Sequence, residues 1–268
     1  MTRMTKSTLH HIPRTLQCRQ LLVLAATLAA IQVQALAQGP PGAPGRGGPA
    51  QPAVPPLVRP PRPVDLTGYW VSVVTTADWR LRMVPPPKGD FAAVRMTPAA
   101  IKLASAWDPA KDEAAGEQCK AYGAAGIMHI PGRLHITQKD EKTLQVDLDA
   151  GTQTRLFHLG DWKAPAGEAT LQGESLAQWD TSGTGGLKVV TNRMKPGYLR
   201  RNGVPYSGNA VLTEYFDLVR QSAGDQWLIL TTVLEDPANL VQPYTDSIQF
   251  RKQANGAGWD PTPCSAKW

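Results

Sequence analysis

The sequence lacks the short motifs by which common enzyme classes are recognised. It has no G-x-S-x-G nucleophile elbow, no G-x-G-x-x-G or G-x-x-x-x-G-K-[ST] phosphate loop, and no H-E-x-x-H or C-x-x-C pair. These absences argue against the hydrolase, dinucleotide-binding and zinc-protease templates. An enzyme of another kind stays open.

Acidic residues are missing from the first part of the chain. Residues 1–20 carry four basic side chains, followed by the apolar run LLVLAATLAAIQVQA and the small residues Ala35 and Ala37. This order is typical of a secretory signal peptide, so we expect residues 1–37 to be removed near Ala37 and the protein to be periplasmic or secreted. The apolar run is too short to span a bilayer as a helix of the mature chain; an uncleaved anchor is the alternative.

The excess of positive charge belongs to the same region. Without residues 1–37, 24 of the 28 Lys and Arg remain against 22 Asp and Glu, so the formal charge falls from +6 to about +2. Three more arginines lie in residues 38–64, which leaves residues 65–268 near −1. A nearly neutral domain argues against nucleic-acid binding.

Large apolar residues are scarce in residues 38–64, which hold ten of the 24 prolines and five of the 24 glycines. Such a composition predicts a disordered or partly polyproline linker. A single β-rich domain is therefore expected over residues 65–268.

Cysteine is also scarce, and only Cys119 and Cys264 remain after the signal peptide. In an oxidising compartment these two are expected to form a disulfide that ties the C-terminus to the middle of the domain. Two free thiols are the alternative.

Strand patterns dominate residues 65–268, where bulky and β-branched residues alternate with polar ones between turn formers. Strands are predicted over residues 66–76, 78–84, 127–130, 133–139, 143–149, 152–159, 169–180, 187–193, 210–219, 226–235 and 244–252. Thr97 and Pro98 predict the start of a helix over residues 99–107, with a second helical piece over 110–120. Short connections favour antiparallel pairing. The predicted fold is mostly β, a single antiparallel barrel or curved sandwich with one short helical insertion.

Three histidines fall in the predicted strands. His129 and His135 are six positions apart and would share a face if Pro131 and Gly132 do not kink or bulge the strand, and His158 could join them from a neighbouring strand. Three imidazoles would suit zinc or copper. The spacing matches no established metal motif, however, so ordinary polar roles are favoured and no metal or cofactor is predicted.

Alternation places Arg133 and His135 on one face of a strand and Asp147 on the matching face of the next. If that polar face lines the barrel interior, these are buried ionisable groups suited to acid–base catalysis, with His158 as a further candidate. If it meets water they form an ordinary solvated face, which the pattern favours.

The segment MKPGYLRRNGVPYS at residues 194–207 is a stiff, basic and aromatic loop between two predicted strands. Its aromatic and guanidinium groups suit stacking and contact with carboxylates or phosphates. It is therefore predicted to bind a ligand at the mouth of the barrel, with a structural cap as the equal alternative. Together with an acid from a later strand, the predicted ligand-binding residues are Tyr198, Arg200, Arg201, Tyr206 and Glu235.

Several segments resemble a group of secreted β-rich proteins of environmental bacteria that has no established activity. They are GYW at 68–70, WD-x-x-x-x-x-G-L-K-V-V-T at 179–191, PGYLRRNGVPYS at 196–207, LTEYF at 212–216, and LEDP followed by QPY within 234–244. The resemblance implies a lipocalin-like or related barrel behind a signal peptide and supplies no catalytic residues. GYW is also similar to the G-x-W at the start of lipocalins, which implies that Trp70 closes the barrel base.

These features favour an exported binding protein that holds a small, partly apolar, anionic molecule in a barrel or cleft. The alternative is a cofactor-independent lyase, isomerase or hydrolase acting on a hydrophobic metabolite, with His135 or His158 as base. A third class, an interaction module of the envelope, would present an exposed apolar patch. The sequence makes no prediction about oligomeric state.

Overall fold

The computed structural model describes residues 63–181 and 185–267. The predicted signal peptide and nearly all of the predicted linker, residues 1–37 and 38–64, therefore lie outside the described residues. Within those described ranges, no helix is long and apolar enough to cross a membrane.

Eleven strands and four short α-helices form in the described residues. The strands are β1 Gly68–Val73, β2 Arg133–Asp140, β3 Thr143–Leu148, β4 Gln153–Leu159, β5 Glu174–Trp179, β6 Leu187–Asn192, β7 Gly197–Arg200, β8 Val204–Tyr206, β9 Val211–Arg220, β10 Gln226–Glu235 and β11 Tyr244–Gln253. The helices are α1 Trp79–Arg82, α2 Pro98–Ala106, α3 Pro109–Ala114 and α4 Ala124–Ile127.

Nine strands close into a barrel in the order β1-β11-β10-β9-β6-β5-β4-β3-β2. Neighbours run antiparallel except β4 and β5, which are parallel. A closed ring with an odd number of strands cannot alternate direction all the way round, so at least one parallel pair is required. The prediction of a mostly β barrel is confirmed, whereas purely antiparallel pairing is wrong at β4 and β5.

Alternation along each barrel strand separates a buried face from an outer face. In β10, for example, Leu228, Leu230 and Leu234 are buried. Ile229 and Val233, which alternate with them, are partly exposed, and Glu235 is fully exposed. Most of the buried side chains form one large apolar cluster inside the barrel, where the rings of Phe157 and Phe216 lie 5.4 Å apart. Leu234 belongs instead to a second cluster, which it shares with residues of α2, β7 and β8. Side chains therefore pack the interior.

The two ends of the barrel are closed by different parts of the chain. One end, where β3 finishes and β4 begins, carries the connections that contain the four helices and the pair β7 and β8. We call it the capped end. The opposite end, where β2 turns into β3, is the base.

Trp70 lies fully buried in β1, close to the base. Its indole N–H donates to the carbonyl of Leu66 at 2.9 Å. The ammonium of Lys252 lies 4.5 Å from the centre of the ring and also donates to the carbonyl of Thr67.

Residues 78–84, predicted as a strand, instead contain α1 with a turn on either side of it. Apolar residues alternate with arginines here, but Arg82 is buried and donates to the Asp78 carboxylate at 2.9 Å and to the carbonyls of Val73 and His129. These distant acceptors fix a helical turn that a two-residue period does not reveal. Burial favours a higher pKa for Asp78, but hydrogen bonds from Arg82 and Thr75 outweigh it and hold that pKa below its ordinary value of 3.8.

The other helical predictions have mixed outcomes. Helix α2 is confirmed, since Pro98 is its first residue and the Thr97 hydroxyl caps it. Residues 127–130, predicted as a strand, instead end α4 and continue as a turn, because the N–H of Ile127 donates to the carbonyl of Gly123 at 2.9 Å.

The C-terminal segment, residues 254–267, runs from the base to the capped end. On the way, Trp259 makes an edge contact with the imidazole of His135, with centroids 6.3 Å apart. Cys264 then meets Cys119 at disulfide distance, 2.10 Å between the sulfurs. The predicted pairing of Cys119 with Cys264 is therefore confirmed as a pair at disulfide distance.

Candidate functional site

The predicted binding loop is a β-hairpin, β7 and β8, at the capped end. Its turn contains Asn202, whose side-chain amide donates to the carbonyl of Asp90 at 2.8 Å, and Gly203, whose φ is +84°. A Cβ on Gly203 would lie 2.3 Å from Cγ of Trp107, so the turn requires glycine. Strands of four and three residues are too short for a readable period, which explains why the sequence predicted a loop.

Tyr198 is tied to the helical region by a buried carboxylate. Its hydroxyl donates to Asp112 at 2.9 Å, and the same carboxylate accepts from the indole N–H of Trp107 at 3.0 Å and contacts Lys120 at 3.4 Å. Burial and the hydrogen bond to Asp112 raise the pKa of Tyr198. These contacts are what a structural cap requires.

The two arginines of the hairpin also have protein partners. Arg200 is buried, donates to the carbonyl of Ala92 at 2.6 Å and stacks its guanidinium 5.6 Å from the ring centre of Tyr244. Arg201 donates to the carbonyl of Arg82, and burial lowers the pKa of Arg201. Glu235, by contrast, lies exposed on the outer face at the end of β10.

Tyr206 points into the protein beneath the hairpin and is 1% exposed. Gly123 and Gly197 bring their backbones close to its hydroxyl, which has no hydrogen-bond partner among the described residues. Burial raises the pKa of Tyr206, and the positive charge of Arg155 partly opposes that rise. The hydroxyl is therefore an unused hydrogen-bonding group near the polar part of the barrel interior.

That polar part is an ion pair between Arg155 of β4 and Glu214 of β9. The guanidinium donates to both carboxylate oxygens, at 2.8 and 2.6 Å, and the two side chains are 0% and 1% exposed. Arg155 also donates to the hydroxyl of Thr191 at 3.3 Å, which is itself 2.7 Å from that of Ser175. Within the described residues the pair is enclosed, so it is a fixed structural group of the interior.

Sequence reasoning did not identify the Arg155–Glu214 pair. One signal was present, because Glu214 falls in phase with the buried Leu212 and Phe216. Its partner 59 positions earlier could not be read from either strand alone.

The candidate acid–base residues lie outside the barrel. Arg133, His135 and Asp147 alternate with buried apolar residues of β2 and β3, so the polar face points outward. His135 stacks on Tyr69 with ring centres 3.9 Å apart, and Asp147 accepts from the hydroxyl of Thr154 at 2.7 Å. Of the two alternatives for this face, the outward-facing one is confirmed, and the inward-facing one is wrong.

The three histidines do not converge. His129 follows α4 instead of lying in a strand, with Nε2 3.4 Å from Asp246, and His158 stacks on Trp162 at 3.9 Å. Burial lowers the pKa of His158. Across residues 63–181 and 185–267, no three His, Cys, Asp or Glu side chains are close enough to hold a metal ion.

An open groove of about 440 Å³ lies beside the disulfide and the start of the hairpin; we call it the cap groove. The amide of Gln172 donates to the carbonyl of Tyr122 at 2.8 Å and to Gln153 at 3.0 Å, so it is held in one orientation. The lining residues are Gly116, Glu117, Cys119, Lys120, Gln153, Thr170, Leu171, Gln172, Lys195 and Pro196.

Comparison with known proteins gives no relative: no family model matches the chain, and no curated protein or solved structure is significantly similar.

Proposed function

We propose that this protein is an exported binding protein and that the cap groove holds a small, partly apolar, anionic molecule. The observation that carries the proposal is the groove itself, about 440 Å³ in volume, in which two lysines and two amides surround Leu171, Pro196 and the disulfide. That volume and mixed lining are typical of small-molecule sites.

The two lysines supply the positive charge in different ways. Lys120 is engaged with Glu117 and Asp112, and these contacts outweigh burial and raise the pKa of Lys120. Lys195 is exposed, and none of the ion pairs formed by the described residues includes it. Lys195 is therefore the cation available to an incoming carboxylate or phosphate.

The floor of the groove offers orientation as well as charge. Gln172 and Gln153 are fixed by hydrogen bonds to backbone carbonyls. A site whose polar groups are already oriented loses little entropy when a ligand binds. The predicted loop contributes to this site through Lys195 and Pro196, while its tyrosines and arginines form the cap.

The export signal and a lipocalin-like relationship belong to the same proposal. The order of basic, apolar and small residues before position 38 supports the export signal. The GYW segment at residues 68–70 supports the lipocalin-like relationship. The enzyme alternative has less support, because its candidate bases lie on the outer face or against Trp162.

Binding can be tested on the purified full-length protein by native mass spectrometry and by thermal shift with aromatic acids, terpenoid acids and fatty acids. We expect at least one class to raise the melting temperature, and Lys195→Ala to weaken that binding about 10-fold. Lys139→Ala, at the base end of β2, is the matched control. The proposal fails if no acid in the panel binds, or if Lys195→Ala and Lys139→Ala behave alike.

A further inference from the structure

A second and larger groove, of about 850 Å³, lies on the outer wall of the barrel over β5, β6, β9 and β10. We call it the wall groove. It is distinct from the cap groove, with which it shares no residue. Its lining residues are Gln178, Trp179, Asp180, Thr181, Gly186, Leu187, Lys188, Tyr215, Asp217 and Thr231.

Strand register aligns four of these side chains in one row across the wall. Gln178 of β5 lies opposite Lys188 of β6, Lys188 lies opposite Tyr215 of β9, and Tyr215 lies opposite Thr231 of β10. All four belong to the outer face of their strands. With about 4.8 Å between neighbouring strands, the row is roughly 14 Å long, which suits an extended chain molecule better than a single small ring.

The row combines an aromatic ring with several kinds of hydrogen-bonding group. Tyr215 is 38% exposed, and the ammonium of Lys188 lies 5.8 Å from the centre of its ring. The hydroxyl of Thr231 lies 3.3 Å from that of Ser247, which continues the row onto β11. Gln178 adds a planar amide that both donates and accepts.

These groups match the two faces of a sugar. The axial C–H groups of a pyranose present an apolar face that packs on an aromatic ring, and its equatorial hydroxyls require both donors and acceptors. Carboxylates of Asp180 and Asp217 border the groove together with the one lysine of the row. This balance of charge disfavours an anionic ligand.

We infer that the wall groove binds a neutral oligosaccharide through the row formed by Gln178, Lys188, Tyr215 and Thr231. The site acts independently of the cap groove, whose lysines select an anion. An exported protein with such a site would attach to glycan while its other groove stays open to a small molecule.

The test uses the full-length protein and four uncharged hexasaccharides, namely maltohexaose, cellohexaose, xylohexaose and fully N-acetylated chitohexaose. Binding is measured by isothermal titration and by tryptophan fluorescence, because Trp179 lines the groove. We expect saturable binding of at least one probe. Absence of binding by all four at millimolar concentration overturns the inference.

Variants separate the ring from the rest of the surface. Tyr215→Ala is expected to weaken binding about 10-fold, whereas Tyr215→Phe keeps the stacking ring and should stay within about 3-fold of the parent. Trp79→Ala removes another exposed aromatic ring, on α1 at the capped end, and should leave glycan binding unchanged. Gln178→Ala provides a second variant on an exposed position. If Tyr215→Ala and Gln178→Ala both keep their melting temperature and bind as the parent does, the row is not the site.

Discussion

Replacing Glu214 by leucine is the sharpest test of how the barrel interior is held together. The substitution removes both acceptors of the Arg155 guanidinium, now at 2.8 and 2.6 Å. The Arg155 guanidinium, which is 0% exposed, then keeps one side-chain acceptor among the described residues, the hydroxyl of Thr191 at 3.3 Å. The cost of an unpaired buried charge should therefore dominate the result.

Loss of one partner from a buried ion pair typically costs about 3–5 kcal/mol of unfolding free energy. In a domain of this size each kcal/mol shifts the melting temperature by roughly 2–4 °C, so Glu214→Leu should melt on the order of 10 °C lower than the parent. The upper part of the energy range is expected, because both hydrogen bonds are short and neither side chain reaches solvent.

A paired substitution distinguishes a buried charge from a simple packing defect. Arg155→Met combined with Glu214→Leu replaces both charges by apolar side chains, and such exchanges are often neutral or stabilising by about 1–4 kcal/mol. The double variant should therefore regain most of the stability that Glu214→Leu loses. Glu235→Leu, on the exposed end of β10, should change stability by less than about 0.5 kcal/mol.

Guanidinium unfolding followed by tryptophan fluorescence, with the disulfide intact, measures all four proteins on one scale. A double variant less stable than Glu214→Leu alone would refute the reasoning. So would a Glu214→Leu protein that unfolds within about 1 kcal/mol of the parent, because the ion pair would then make no essential contribution.

Three further predictions concern the rest of the fold. Because the folded state lowers the pKa of Asp78, its ionised carboxylate stabilises the fold above the ordinary value of 3.8, and the contribution is lost as the pH falls through the lowered pKa. Asp78→Asn should thus cost about 1 kcal/mol at neutral pH, with a gap that closes in acid; a pH-independent gap contradicts this. Cys119→Ser with Cys264→Ser opens a loop spanning 145 positions and should cost up to about 5 kcal/mol in urea unfolding, and an unchanged midpoint would show that the bridge constrains nothing. Gly203→Ala should lower the free energy of unfolding by about 2 kcal/mol or more, since φ is +84° and an indole ring lies beneath the turn. An unchanged melting temperature would show that the turn does not require glycine.

Local patterns predicted the barrel strands well because strand alternation is a local property. Strand β10 was predicted to the residue, and β11, β6 and β2 to within one residue at either end. The helical turn of α1 was missed because Arg82 is held there by acceptors that other parts of the chain supply. The strands β7 and β8 were missed because they are only four and three residues long.

The candidate sites also show which features follow from local pattern and which depend on contacts with distant parts of the chain. Sequence alone indicated that the hairpin segment was stiff, basic and aromatic, but left open whether it binds or caps. Contacts of Tyr198 with Asp112 and of Arg200 with Ala92 join it to segments 86 and 108 positions away, which favours the cap. Lys195, at the edge of the same segment, reaches a groove that only the folded chain forms.

The sequence by itself determined the mostly β class and most strand positions, and it favoured, without deciding, the outward polar face of β2 and β3 and the pairing of Cys119 with Cys264. Each of these follows from a local period or from a short inventory of residues. Tertiary structure alone decided the closure at nine strands, the parallel pair β4 and β5, and the meeting of Arg155 with Glu214. The physical reason is that these features depend on which distant strands become neighbours and in what register, and no period within one strand carries that information.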